Sequence, residues 1–478
     1  MLTGPSRGAF GVREWVDASA SPRGRALPLV ALARRRTSAL VYRIAVSLFL
    51  IQAGFHAFTA SLPLALARGG KPDAEIGLIV GVAAVVQIPA AFGAGALVDR
   101  FGGLRLMLVG GAAYIAACLV LLLPGVEATG PNLPFLVARL LQGIGIGTAL
   151  PAGLSLVPRL VPAARRGFAL AVAGASHNLT LVVLPPASLV VLDLAGLDGV
   201  ALVVLGLVLV GLVVAVADPS RADGRWSRAV RKAGGAVRSA SVGDRGEVGR
   251  RVPGDGRATP GPVDPGAAPA RRAVEPDGAR SLPPARRLLG VAYRPTWSAP
   301  LAIVLLFVAH WGVVTAYLPQ RAEAAGANIG LFFAADGIAV LLMRVPSGWL
   351  ADRFAALPLV LAGIAITAAG VALLLLPPAT PLLVVAGIAT GGGAALIVTP
   401  LLLELTRRSS EADRGSAFAL FSAGFAAAIA LGSIGAAPIV AGAGFEVAVA
   451  VAMIGLGLAA AVAVLDGGLR LRVRAAGG

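Results

Sequence analysis

The sequence predicts an all-α integral membrane protein, with twelve transmembrane helices in two pseudo-symmetric six-helix bundles. Three observations carry that prediction. Of the 478 residues, 57% are hydrophobic and only 14% charged, a balance that departs from soluble domains and fits a membrane protein. Apolar runs of 18 or more residues recur along most of the chain, each near the length that crosses about 30 Å of hydrocarbon as a helix. Segments of the first half also return in the second half at a nearly constant offset.

The elements follow in order. Residues 1–40 form an N-terminal tail in which the first 36 residues hold seven arginines and no long apolar core. The run that begins near Leu40 is too long for a signal peptide and reads as an uncleaved first span. Spans 1 to 6 begin near residues 41, 74, 105, 133, 167 and 197, making a first bundle over 41–218. Residues 219–296 are rich in Pro, Gly, Ala and Arg, include GDGRATPGPVDPGAAPARR and lack periodicity, the composition of a disordered cytoplasmic linker. Spans 7 to 12 begin near 298, 327, 357, 381, 415 and 445, making a second bundle over 297–466, and a tail of 467–478 closes the chain. Helices are the expected form throughout, because backbone polar groups in lipid must be satisfied within the segment.

The formal charge of +17 does not mark a nucleic-acid binder, because the arginines sit in loops and tails rather than on one folded face. The linker alone holds 16 basic and 7 acidic residues, a net of +9. Arg34, Arg35 and Arg36, the loop residues Arg100, Arg105, Arg165, Arg166, Arg353, Arg407, Arg408 and Arg414, and the tail residues Arg470, Arg472 and Arg474 all fall on one side of the predicted topology. By the positive-inside rule both termini and the linker are expected in the cytoplasm, with the chain in the plasma (inner) membrane. Lys71 and Lys232 are the only lysines, and Pro72 and Ala233 follow them, so no Gly-Lys-Ser/Thr phosphate loop exists to drive transport with ATP. Cys118 is the single cysteine and forms neither an intrachain disulfide nor a cysteine metal site. No cofactor is expected.

The internal repeat is specific. EIGL at 75–78 and DRF at 99–101 return as NIGL at 328–331 and DRF at 352–354, both at an offset of 253. ARRGFAL at 164–170 parallels DRGSAFAL at 413–420, and GIGIG at 143–147 parallels GGGAA at 391–395, at offsets near 248. Duplication of a six-helix unit is the simplest origin.

Within the repeat, GALVDRFGGLR at 95–105 and SGWLADRFA at 347–355 place charges where a span leaves hydrocarbon, with Gly95 and Gly348 allowing close helix approach. The pattern resembles the loop signature of the major facilitator superfamily, between helices 2 and 3 and more weakly between helices 8 and 9. That resemblance covers the chain outside the tails and linker. It implies a gating role for Gly95, Asp99, Arg100, Gly102, Arg105, Gly348, Asp352 and Arg353, in a charge network bracing the bundles when the carrier faces outward. The second copy has Ala355 and Ala356 in place of the paired glycines.

RLLQGIGIG at 139–147 puts Arg139 inside span 4, where a charge is costly unless it lines water or finds a partner. It resembles the family's helix 4 signature, which is linked to proton coupling. Gln142 follows one turn on, and the equivalent of Arg139 in span 10 is Gly387. Span 5, GFALAVAGASHNLTLVVLPP, lacks the glycine-proline motif of drug-exporting members.

His56, His177 and His310 fall inside spans 1, 5 and 7. Gln52, His56 and Thr59 share a face of span 1, and His310 and Tyr317 share a face of span 7. The family resemblance implies that spans 1, 4, 7 and 10 line a central cavity. For these histidines two roles stay open, a cavity function and a neutral ring bonded between helices. Metal binding is not expected, with no two ligands on one helix. Asn178 and His177 are neighbours in span 5. Asp336 lies some nine residues into span 8, with Arg344 two turns farther, and Ala83 and Ala91 stand at the equivalent positions of the first half. Burial disfavours a charged carboxyl and a nearby cation favours it, so Asp336 is a candidate proton carrier. A static ion pair with Arg344 or Arg139 is the alternative. Glu404, near the end of span 10, is expected to join Arg407 or Arg408.

The resemblance implies a secondary transporter working by alternating access. Proton-coupled efflux of a small organic solute, by a monomer in the lipid bilayer, is the expected activity. Proton symport or facilitated uptake of a sugar or organic acid is the alternative, and a transporter-like sensor or assembly protein using the basic linker is a rival of another class. No span holds the nucleophile, base and orienter of an enzyme.

Overall fold

Without water to drive helices together, spans in lipid associate through close packing, and the positions of small residues decide where. The computed structural model describes residues 26–161, 166–217, 286–288, 291–410 and 413–476; the side chains of 26–39, 95, 96, 99, 158–160, 166–168, 171, 286–288, 291 and 468–476 lie outside the description. Eleven helices among the described residues are long and apolar enough to cross a membrane. One of them, Arg166–Val216, contains two crossings. Its apolar part of 45 residues would reach about 67 Å as a straight helix, far more than one crossing needs. The helical pattern breaks at Gly196, with φ 67° and ψ −171°, a backbone that glycine adopts and other residues resist. Twelve crossings result.

Span 1 is built from Ala26–His56 and Phe58–Arg68, span 2 from Asp73–Phe101, span 3 from Gly103–Leu121 and span 4 from Leu133–Leu160. Spans 5 and 6 share the broken helix. Span 7 is Ser298–Ala324, span 8 Ile329–Arg353, span 9 Ala356–Leu373 and span 10 Thr380–Arg407. Span 11 runs through Arg414–Ala430, a π-helical turn at Leu431–Gly435 and Ala437–Ala443, and span 12 is Phe445–Ala476.

Most of the expected linker, 219–285, lies outside the described residues, as do 1–25. Its last stretch is ordered. Strand β1 (Arg286–Leu288) pairs antiparallel with β2 (Val291–Tyr293). The Ala292 amide donates to the Ser416 hydroxyl at 3.2 Å, and Arg294 forms a buried ion pair with Asp413. Those tethers to the start of span 11 hold a segment whose composition alone reads as linker.

Glycine sets the helix contacts in the same way in both halves. In the first half a Cβ on Gly143 would stand 2.4 Å from the Ala83 carbonyl oxygen, and one on Gly147 2.6 Å from the Ala90 methyl, so span 4 lies directly on span 2. In the second half a Cβ on Gly387 would meet the Phe332 carbonyl oxygen at 2.5 Å and one on Gly391 the Asp336 carbonyl oxygen at 2.2 Å, so span 10 lies on span 8.

The repeated DRF loops differ in backbone. Span 2 ends at Gly102 with φ 86°, in the left-handed region that favours glycine. Its counterpart at the offset of 253, Ala355, has φ −62° and ψ 149°, extended and open to any residue. The second loop therefore has no need of the paired glycines.

Replacing Gly391 by valine would push side-chain atoms into the span 8 backbone, a strain of about 1–3 kcal/mol for overpacking. The expected outcome is a melting temperature several degrees below wild type in a detergent thermal melt, with Gly392→Val, at an open position, close to unchanged.

Candidate functional site

Arg139 is buried and reaches two neighbours. Its Nη1 donates to Gln142 Oε1 at 2.7 Å and its Nη2 to the Val80 carbonyl on span 2 at 2.8 Å. The guanidinium carbon lies 5.1 Å from the Phe55 ring centroid of span 1, within cation–π range. Phe55 meets the His56 ring edge-on at 5.3 Å between centroids, and His56 lies 5.1 Å from His177 of span 5. Gln52, one turn before His56, contacts His177 Nδ1 at 3.5 Å and accepts from the Tyr114 hydroxyl of span 3 at 3.3 Å. Gly54 and Gly145 flank the Tyr114 ring so closely that a Cβ on either would stand within 2.5 Å of it. Polar groups from spans 1, 3, 4 and 5 thus form one cluster inside the first half.

The residues expected from the sequence divide into separate groups. Gln52, His56, Arg139, Gln142 and His177 come together; Thr59 lies one turn beyond His56, and Asn178 is buried next to His177. Tyr114 and Phe55 belong with them and sequence reasoning missed both. A lone tyrosine among small residues, GGAAYIAAC in span 3, was the available signal for Tyr114.

Asp336 sits elsewhere, buried in span 8, and accepts from the Thr390 hydroxyl of span 10 at 2.9 Å. Among the described residues it makes no ion pair with Arg344 or Arg139. Arg344 is exposed, and its guanidinium comes 3.9 Å from the place a Cβ on Gly174 of span 5 would take. His310 is buried and its Nδ1 donates to the Phe307 carbonyl one turn back at 2.5 Å. Tyr317 donates to the Ser433 carbonyl in the π-helical turn of span 11 at 2.5 Å, joining spans 7 and 11 against Gly77 of span 2.

At the DRF end of the molecule Arg100, Arg105, Asp352 and Arg353 are exposed, and Arg353 lies 3.9 Å over the Trp349 ring. The side chains of Gly95 and Asp99 lie outside the described ones, and Gly348 has open space around its Cα. Glu404 pairs with Arg408 at 3.0 Å, which reaches on to Asp466 of span 12 at 2.6 Å.

The opposite end carries a clasp between halves. Arg68, at the end of span 1, donates to Asp193 of span 5 and to Glu323 of span 7, each at 2.7 Å. Gln320 of span 7 approaches Asp73 of span 2 at 3.5 Å. Span 2 also lies against the π-helical turn, where a Cβ on Gly81 would meet Ile434 at 2.4 Å.

The model of the Major Facilitator Superfamily matches residues 44–328 and, overlapping, 301–469. The chain belongs to this superfamily. A superfamily relative from Mycobacterium tuberculosis, described as an uncharacterized MFS-type transporter, is 29% identical over 178 residues, 35% of this chain and 30% of the relative. Another, from Cupriavidus pinatubonensis and described as a probable 4-methylmuconolactone transporter, is 34% identical over 113 residues, 24% of this chain and 25% of the relative. The chain thus spans less than a third of the length of each of these curated relatives. A crystal structure of the peptide transporter POT in complex with alafosfalin superposes with a TM-score of 0.61 over 90% of this chain and 95% of that one, at 14% identity. At that identity the likeness concerns the fold.

The clasp yields a test of superfamily-type motion. In a Cys118→Ser background carrying Gln320→Cys, Arg68→Gln is expected to raise the rate of labelling by a membrane-impermeant maleimide several-fold. An unchanged rate would show that Arg68 does not hold that end closed.

Proposed function

We propose that the chain is a secondary transporter that couples the movement of a small organic solute to protons, with efflux as its direction. The observation that carries the coupling is Asp336, a carboxyl buried inside span 8 whose polar partner is the neutral Thr390 hydroxyl. A buried carboxyl held by a hydroxyl and not by a fixed cation can exist with or without its proton, which a static ion pair cannot. The family and the relatives described as transporters support solute movement.

In this reading the two halves rock about a site near the midplane. The arginine-rich DRF end faces the cytoplasm, with both termini on that side. The clasp of Arg68 with Glu323 then closes the outer end, while Arg100, Asp352 and Arg353 are exposed to solvent at the inner end. Such charges are available to brace the inner end when the outer one opens.

The missing glycine-proline motif in span 5 favours a second reading, proton-coupled uptake. A relative described as carrying 4-methylmuconolactone fits a small organic cargo in either direction. Flux against an imposed pH gradient in proteoliposomes separates the two.

Asp336→Asn is expected to abolish proton-driven flux in such vesicles and to leave solute counterflow measurable. Undiminished proton-driven flux in the variant would remove Asp336 from the coupling role.

A further inference from the structure

The polar cluster of the first half is rich in hydrogen-bond donors and poor in acceptors. Ten buried side-chain polar atoms among the described residues lack a hydrogen-bond partner, and six belong to His56, Thr59, Arg139, Gln142 and Asn178. Leaving a buried polar group unsatisfied costs about 1–3 kcal/mol, more for a charged one, so a concentration of them calls for partners that the neighbouring side chains do not supply. Arg139 Nε, Gln142 Nε2 and Asn178 Nδ2 can only donate, and at least one His56 ring nitrogen donates in either protonation state. Of the five N–H groups of Arg139, two are engaged by Gln142 and Val80. The free Nε–H edge is the side-on face that a carboxylate takes with two parallel bonds.

No carboxylate of the first half can take that place. Over 41–218 the acidic residues are Asp73, Glu75, Asp99, Glu127, Asp193, Asp198 and Asp218, all at span ends or in loops. In the second half, Asp336 is held by Thr390 and Glu404 by Arg408.

We propose that Arg139, with His56, Gln142 and Asn178, binds the carboxylate of a small organic monoanion, which makes the transported solute an organic acid. This rests on the transporter reading and adds the class of cargo to it. The Phe55 ring lies against the guanidinium, and the buried Nε–H has no hydrogen-bond partner. One guanidinium with neutral donors around it matches a single negative charge and leaves a neutral amide short of its strongest bond.

The test uses the full-length protein in detergent and isothermal titration calorimetry. The probes are benzoate, 4-hydroxybenzoate and hexanoate, each against its primary amide. At least one acid is expected to bind, with its amide about tenfold or more weaker, the loss of a charge-assisted bond. Arg139→Gln should remove the preference for the acid, and Arg139→Lys should keep part of it. If Arg139→Gln does not fold, His56→Gln serves, with a several-fold loss expected for the acid and none for the amide. Amides binding as well as acids, an unaltered preference in the variants, or no acid binding would each overturn the proposal. Failure of the transporter reading looks different: acid binding intact with no flux in vesicles.

Discussion

Backbone-to-backbone approach at glycine is the constraint on which the rest of the molecule depends. Gly143 and Gly147 seat span 4 on span 2, and Gly387 and Gly391 seat span 10 on span 8. Lipid tails are as apolar as leucine, so these contacts cannot rely on expulsion of water and draw on dispersion at short range. Helices held that closely leave little room for large side chains between them. Two buried charges stand beside these contacts, Arg139 one turn before Gly143 and Asp336 opposite Gly391.

The scaffold is duplicated and its chemistry is not. Arg139 donates to the Val80 carbonyl on span 2, and its equivalent in the second half, Gly387, packs against the Phe332 carbonyl on span 8. Adjoining positions of the repeat thus carry a cation in one half and bare backbone in the other. Asp336 has the reverse asymmetry, with Ala83 as its counterpart. Two copies free to diverge have placed a fixed positive charge in one bundle and a protonatable group in the other. A membrane interior tolerates that arrangement better than two like charges facing each other.

Much of this was legible in the sequence because membrane spans are written in length and hydropathy. The expected starts near 74, 105, 133, 298, 327, 357, 381, 415 and 445 lie within two residues of helices that begin at 73, 103, 133, 298, 329, 356, 380, 414 and 445, since loop charges and glycines mark where hydrocarbon ends. Arg139 and Asp336 stood out as charges inside apolar runs. Which polar residues meet was not legible. His310 and Tyr317 share a helix face with one another, yet one bonds its own helix and the other reaches Ser433. Partners on other helices depend on rotation and register, which apolar all-round sequences leave undetermined. Tyr114 escaped notice for the same reason. The strands at 286–288 and 291–293 were hidden by composition, because what orders them is an ion pair 119 residues away in the chain.

The π-helical turn at Leu431–Gly435 has a bearing on how span 11 behaves as a mechanical part. A wide turn holds one residue more than its length requires and releases a carbonyl from the regular ladder; here Ser433 offers that carbonyl to Tyr317. Should span 7 withdraw its hydroxyl, the Ser433 oxygen would need another donor, so the wide turn ties the shape of span 11 to the position of span 7.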